Sequence, residues 1–126
     1  GGFLRDAAEL GMGLFAIRVY AAGALLGAEP SAHTLTTPFF PLPLYRRDLA
    51  RARRLASVIE GGESLRELAL RYVLSQPEIS SAIVGMGAID HVDEAARVAS
   101  LPMLSRVDLD RIESWRDRMA EPAQTS

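Results

Sequence analysis

Only two segments of this chain have the make-up of a buried β-strand, and helical sequence separates them. Leu14-Phe15-Ala16-Ile17-Arg18-Val19-Tyr20 is a short apolar run bounded by glycine and small residues, and Ile79 to Val84 is the second. Strands separated by helices pair in parallel through a right-handed crossover. Two parallel strands alone cannot form a sheet that is covered on both faces and protected at its edges. The pattern is that of an α/β unit that needs more strands, supplied by N-terminal sequence, a partner chain or another copy.

The segments around the strands are predicted as follows. Residues 3–10 form the end of a helix with Phe3, Ala7 and Leu10 on one face, and Gly11 is its C-cap. Residues 21–44 carry Gly23, Gly27, Pro30, Pro38, Pro41 and Pro43 and read as a long loop of the kind that is often functional. Arg46 to Glu60 is helical through Leu49, Ala52, Ala56 and Ile59, and Gly61-Gly62 stops it. Its outer arginines, Arg46, Arg47, Arg51, Arg53 and Arg54, read first as a solvated face and second as an anion-binding patch. Ser64-Leu65-Arg66-Glu67 is a capping box for a helix with Leu65, Leu68, Ala69, Tyr72 and Val73 inward, and Pro77 prevents its continuation. Asp90 or a neighbour caps a helix from His91 to Ala99, with Val92, Ala95, Ala96 and Ala99 inward. A last helix starts near Asp108 with Leu109, Ile112, Trp115 and Met119 as its stripe, and residues 121–126 read as a frayed end. There is no internal repeat and no domain linker, so the 126 residues are expected to form one unit.

Composition narrows the chemistry. Apolar residues make up 48% and charged residues 24%, as in soluble globular chains. No apolar run approaches the roughly 18 residues that span a membrane, and no signal-peptide pattern is evident. Net charge is -2 with scattered arginines, which argues against a nucleic-acid surface. Cysteine is absent, so disulfides, thiol catalysis and thiolate metal sites are excluded, and a cytoplasmic location is expected. All 14 basic residues are arginine; with no lysine, Schiff-base chemistry, a lysine base and a P-loop lysine are excluded. His33 and His91 sit in no metal-ligand spacing, and His33 has no acid or nucleophile beside it in sequence.

Two stretches stand out, each at the C-terminal end of a strand and followed by glycine, where α/β folds bind ligands. Arg18 to Gly27 offers small residues that let a ligand approach the backbone, with amides for phosphate oxygens and the charge of Arg18. Ile83-Val84-Gly85-Met86-Gly87 precedes the helix at His91, whose N-terminus attracts phosphate. By spacing alone the plainer readings are stronger: a simple turn with Arg18 in a structural ion pair, and a tight strand-to-helix turn. Tyr20 and Tyr45 read as loop residues at a site mouth, whereas Tyr72, Trp115 and the methionines read as packing.

Three stretches in order resemble the aldo-keto reductase family over most of the chain. Ala16-Ile17-Arg18-Val19-Tyr20-Ala21-Ala22-Gly23-Ala24-Leu25-Leu26-Gly27 is similar to the family's seventh strand and loop. Leu68 to Pro77 is similar to its ALRWxLxxP helix, and Ser81 to Gly85 with His91 and Glu94 to its eighth strand and following helix. The IRVYAAGALLG wording is similar to the galactose dehydrogenase-like branch. The resemblance implies the C-terminal part of a (β/α)8 TIM barrel over residues 1–126, as the last two strand–helix units plus a C-terminal helix. It implies NADP or NAD as cofactor of the complete barrel, with a small carbonyl or sugar substrate. It implies that Arg18, Val19, Tyr20, Gly23 and Leu25 lie along the nicotinamide and pyrophosphate, and that Gly85, Met86, Gly87, His91 and Glu94 lie near the adenosine end. Ile17 stands where many members stack a tyrosine; Gly85 and Met86 replace a lysine and serine, and Ala95 an asparagine, so NADP and NAD both remain open. The family's catalytic aspartate, tyrosine, lysine and histidine lie on its first four strands, so the chain is expected to be inactive alone. The alternative is a non-catalytic binding or assembly module that needs a partner to complete its sheet.

Overall fold

The computed structural model describes residues 2–37, 41–56 and 63–120, without the side chains of 117–120. Its elements are α1 (Gly2–Glu9), β1 (Phe15–Ala16), a 3₁₀ segment (Ala21–Leu26), α2 (Ala32–Thr36), α3 (Leu42–Ala56), α4 (Leu65–Leu74), β2 (Ser81–Ala82), α5 (Ile89–Ala99) and α6 (Arg106–Ala120).

β1 and β2 pair in parallel with Phe15 opposite Ser81 and Ala16 opposite Ala82. The ladder is extended by the Ile83 amide donating to the Ala16 carbonyl at 2.8 Å and the Ser80 amide to Leu14 at 2.8 Å. The fold is α/β with two parallel strands, as expected, although each strand is far shorter than its apolar run. With one neighbour each, the strands lose ladder geometry as soon as their chains diverge.

Ala82 and Val84 lie against Tyr20, Leu70 and Val98, together with Ala69 and Ala95, so α4 and α5 cover one face of the sheet. The other face is bare: Phe15 is 66%, Ile17 66% and Ile83 56% exposed. A second cluster joins Ala24 of the 3₁₀ segment to Tyr45 and Leu49 of α3. A third joins Leu68 of α4, Leu104 and Trp115 of α6, with Tyr72, Leu109 and Ile112 against them.

Local chemistry explains the element boundaries. α1 ends in a Schellman motif: Gly11 has φ 72, its amide donates to Ala8 and the Met12 amide to Ala7. At α4, Ser64 Oγ accepts from the Glu67 amide at 3.1 Å, but the Glu67 carboxylate reaches Arg97 of α5 at 2.7 Å rather than turning back. The capping box is thus half local and half tertiary. The segment 21–44 is not a structureless loop. It contains the 3₁₀ segment, and α2, which Ser31 caps by accepting from the Thr34 amide at 3.1 Å. α3 also begins at Leu42, before Arg46, because Pro43 falls in the first turn, where a missing amide is no loss. Pro38, the helix expected beyond Ala56 with its Gly61-Gly62 stop, the Met119 side chain and residues 121–126 lie outside the described residues.

Three further expectations change at the C-terminal half. α5 starts at Ile89, and its N-cap is Ala88 with no side-chain cap, not Asp90. Its inward stripe is His91, Glu94, Ala95 and Val98, while Val92, Ala96 and Ala99 are exposed. Ala95 and Val98 of that face pack against Tyr20, Leu70 and Ala69, and Arg66–Glu94 at 3.2 Å and Glu67–Arg97 at 2.7 Å flank the contact. α6 starts at Arg106, because Ser105 and Asp108 form a reciprocal cap. The Asp108 amide donates to Ser105 Oγ at 3.2 Å and the Ser105 amide to Asp108 Oδ2 at 3.3 Å. The Ser105 hydroxyl also donates to Asp108 Oδ2 at 2.6 Å and holds that carboxyl below its usual range. No helix of the described residues is long and apolar enough to cross a membrane.

Candidate functional site

The exits of β1 and β2 face each other across a cleft of 750 Å³. Arg18, Val19, Tyr20 and Gly23 line it from the β1 side, and Gly85, Gly87 and His91 from the β2 side. These residues are up to 73 positions apart in sequence, and the parallel pairing of two short strands brings them together.

The β1 side is strained. Arg18 (φ 56), Ala21 (φ 48) and Ala22 (φ 58) are non-glycine residues in the left-handed region, next to Gly23 at φ 101. Such conformations cost on the order of 1–3 kcal/mol each and persist only where surroundings impose them. The surroundings here are α3 and α4. The Gly23 and Leu25 amides both donate to the Tyr20 carbonyl, and Ala24 is fully buried against Tyr45. The turn thus closes on its own carbonyls and sets Arg18, Val19, Tyr20, Ala22 and Gly23 along the cleft.

The β2 side is open rather than strained. Gly85 and Gly87 do not have positive φ, and a Cβ built at either meets nothing within 4 Å. Nothing inside the chain requires glycine there; what the missing side chains leave is room at the cleft wall. The Gly87 amide donates to His91 Nδ1 at 3.3 Å, which ties the turn to α5. The helix itself has no side-chain cap, and its first turn is closed by the His91 amide donating to the Ala88 carbonyl at 3.2 Å.

Three expected site residues sit elsewhere. Leu25 lines a separate hollow with Leu55, Ala69 and Val73. Met86 is exposed and lies off the cleft lining. Glu94 is engaged behind the wall, with Oε2 3.2 Å from Arg66 Nε. Tyr45 is not at a site mouth: it is 1% exposed in α3, and its hydroxyl donates to the Ala28 carbonyl at 2.9 Å. The helix α3 packs on the 3₁₀ segment and encloses that ring.

The cleft also has residues that sequence reasoning did not select. Ser31 and His33 of the α2 region line it, so both histidines of the chain meet on one cavity. Arg66 lines it from the first turn of α4, with its Cζ 5.2 Å from the centre of the Tyr20 ring. Burial raises the Tyr20 phenol above its ordinary value, the charge and hydrogen bond of Arg66 oppose that shift, and Glu94 adds to it. Helical spacing puts Arg66 off the apolar stripe of α4, and nothing local separates it from the other arginines. The short Ser31–Thr34 cap was the available signal for the helix that carries His33. The outer arginines of α3 are exposed, and Arg47 and Arg51 pair with Asp48, Arg53 with Glu29, as a solvated face should.

Among the described residues, no group of three His, Asp or Glu is arranged to hold a metal ion. The cleft lining carries arginine, histidine, glycine and apolar side chains and no carboxylate, which suits an elongated anionic ligand with an apolar part. No curated protein matches the chain. The profile of the Aldo/keto reductase family matches residues 2–117, a span that includes both strands and every residue of the cleft wall. The chain therefore belongs to the aldo/keto reductase family.

Proposed function

We propose that this chain is the cofactor-holding part of an NAD(P)-dependent carbonyl or alcohol oxidoreductase. It is read as the last two strand–helix units and the C-terminal helix of a (β/α)8 barrel. The barrel reading is supported by the family match and by the bare apolar face of Phe15, Ile17 and Ile83, which a complete barrel would enclose. The wording from Ile17 to Gly27 supports the galactose dehydrogenase-like branch within the family.

The observation that carries the cofactor reading is the convergence of Arg18, Val19, Tyr20, Gly23, Gly85, Gly87 and His91 on one carboxylate-free cleft. The strained β1 exit brings Arg18, Val19, Tyr20 and Gly23 to the side proposed for the nicotinamide and pyrophosphate. The open turn at Gly85 and Gly87 leaves space at the uncapped start of α5 for the adenosine phosphate. The cofactor, when bound, supplies or accepts the hydride; this chain binds and orients it. Proton transfer to a carbonyl needs an acid that the chain does not provide, since the family's tyrosine and its supporting lysine lie on the earlier strands and this chain contains no lysine.

Calorimetric titration of the purified chain with NADP⁺ and NAD⁺, beside a carbonyl-dependent NAD(P)H oxidation assay, tests both halves. Binding without turnover is expected. Absence of binding to either nucleotide overturns the cofactor role, and measurable turnover overturns the non-catalytic role. The bare sheet face favours a second reading, an assembly module completed by a partner, which predicts association without nucleotide binding.

A further inference from the structure

We infer that Arg66 is the phosphate anchor of the cleft and that Glu94 acts through it as a positioning residue. The inference rests on the cofactor reading above but adds a residue that reading did not contain, and assigns Glu94 a different task.

Arg66 is the only cleft-lining arginine on a helix among the described residues, and its side chain is 22% exposed. It is thus largely withdrawn from water yet opens on the cavity. Three elements hold it: Ser64 fixes the first turn of α4 beneath it, Glu94 of α5 takes its Nε at 3.2 Å, and the Tyr20 ring lies 5.2 Å from its Cζ. A long side chain restrained in this way has already lost much of the rotamer freedom that binding would otherwise remove.

The chemistry of the remaining donors decides the ligand. A guanidinium carries five N–H donors. Glu94 pairs with Nε, and the donors of the two terminal nitrogens lie outside that pair. The outer fork of an arginine matches two oxygens of a phosphate side by side. Glu94 offsets part of the Arg66 charge from behind, but the cleft lining itself has no carboxylate, and Arg18 adds a second positive charge to it. A phosphoryl group is the ligand chemistry these features share, and in a nicotinamide dinucleotide it comes from the pyrophosphate or from the adenosine 2′-phosphate.

The test is calorimetric titration of the wild-type chain, Arg66→Ala, Arg66→Gln and Glu94→Gln with NADP⁺, NAD⁺ and inorganic pyrophosphate, with melting temperatures taken in parallel. Arg66→Ala is expected to weaken phosphate-bearing ligands on the order of tenfold or more. Glu94→Gln, which keeps the cation but loosens it, should weaken them less. An equal loss for NADP⁺ and NAD⁺ identifies the pyrophosphate as the group held, and a loss for NADP⁺ alone identifies the 2′-phosphate. Affinities within twofold of wild type for Arg66→Ala overturn the inference. If that variant does not fold, Arg66→Gln is judged by the same criterion, because it keeps a polar, hydrogen-bonding side chain in the first turn of α4 without the charge. If wild type binds neither dinucleotide but binds pyrophosphate in an Arg66-dependent way, the cofactor reading falls and the anchor stands. If pyrophosphate and both dinucleotides leave the wild type unbound, both fall.

Discussion

Glycine has opposite meanings on the two sides of the cleft, and substitution separates them. Gly23 sits at φ 101, and an added Cβ would lie 3.5 Å from Tyr45 Oη, an ordinary contact. The cost of Gly23→Ala is therefore backbone strain, about 1–3 kcal/mol, and urea unfolding should show it as a lower midpoint. Gly85→Ala meets open space at an unstrained φ. Its stability should change by less than about 1 kcal/mol, and a gain is allowed because the unfolded chain loses freedom. Nucleotide affinity in the same variant should fall, since the methyl group occupies room at the cleft wall. Both sites read alike in sequence, as glycine after a strand; only φ and the neighbouring atoms distinguish them. Tyr45 adds a pH signature. Burial, and then the Glu29 carboxylate, push its phenol above the ordinary value of 10.0. Above that value the unfolded chain releases a proton that the folded chain keeps, so stability falls as pH rises until the raised value is passed. Melting curves between pH 9 and pH 11 (roughly the range around a free phenol) should show this decline, and Tyr45→Phe should make it shallower, the raised Tyr20 phenol contributing the rest.

At the scale of elements, both strands and every helix but α2 and the 3₁₀ segment were legible because each carries its own periodicity or stop signal. Leu65, Leu68 and Ala69 with the Ser64 cap specify α4 locally, and Gly11 ends α1 by a left-handed turn. What was not legible is how elements rotate against each other. α5 has two stripes of small or apolar residues, and its sequence favours Val92, Ala96 and Ala99 as much as Ala95 and Val98. Packing of Ala95 and Val98 on Leu70, Ala69 and Tyr20, flanked by ion pairs from α4 to Glu94 and Arg97, distinguishes them. The junction of α4 with the α5–α6 connection is similarly tertiary. Ser75 is buried at the end of α4, and its Oγ accepts from the Leu104 amide at 2.8 Å. Ser75→Ala leaves that amide without an acceptor in a buried position and should destabilise the chain by about 1–3 kcal/mol in chemical denaturation. Arg71 braces the same junction, pairing with Glu63 and donating to the Pro102 carbonyl at 3.0 Å. A loss at Ser75 no larger than that of an exposed serine would show that the junction carries little of the stability.

At the scale of the whole molecule, the dominant fact is a two-stranded sheet with one covered face and one bare face. Phe15, Ile17 and Ile83 form contiguous apolar surface beside unpaired strand edges, an arrangement that favours association. Light scattering of the chain alone should give an apparent mass that rises with concentration, and Ile17→Glu should suppress the rise without lowering the melting temperature. A concentration-independent monomer would mean that this face needs no cover. Residue order and type are enough to give the α/β class, the parallel order of two strands with their helices, a chain with no lysine or cysteine chemistry, and the family. Those properties depend on periodicity, residue type and order along the chain, which are local or countable. Only the tertiary structure decided that residues from Arg18 to His91 share one cleft, that Tyr45 leaves it for the core, and that His33 and Arg66 enter it. Each of those outcomes depends on which faces of distant elements meet, and packing and ion pairing across the fold settle that where spacing within one element does not.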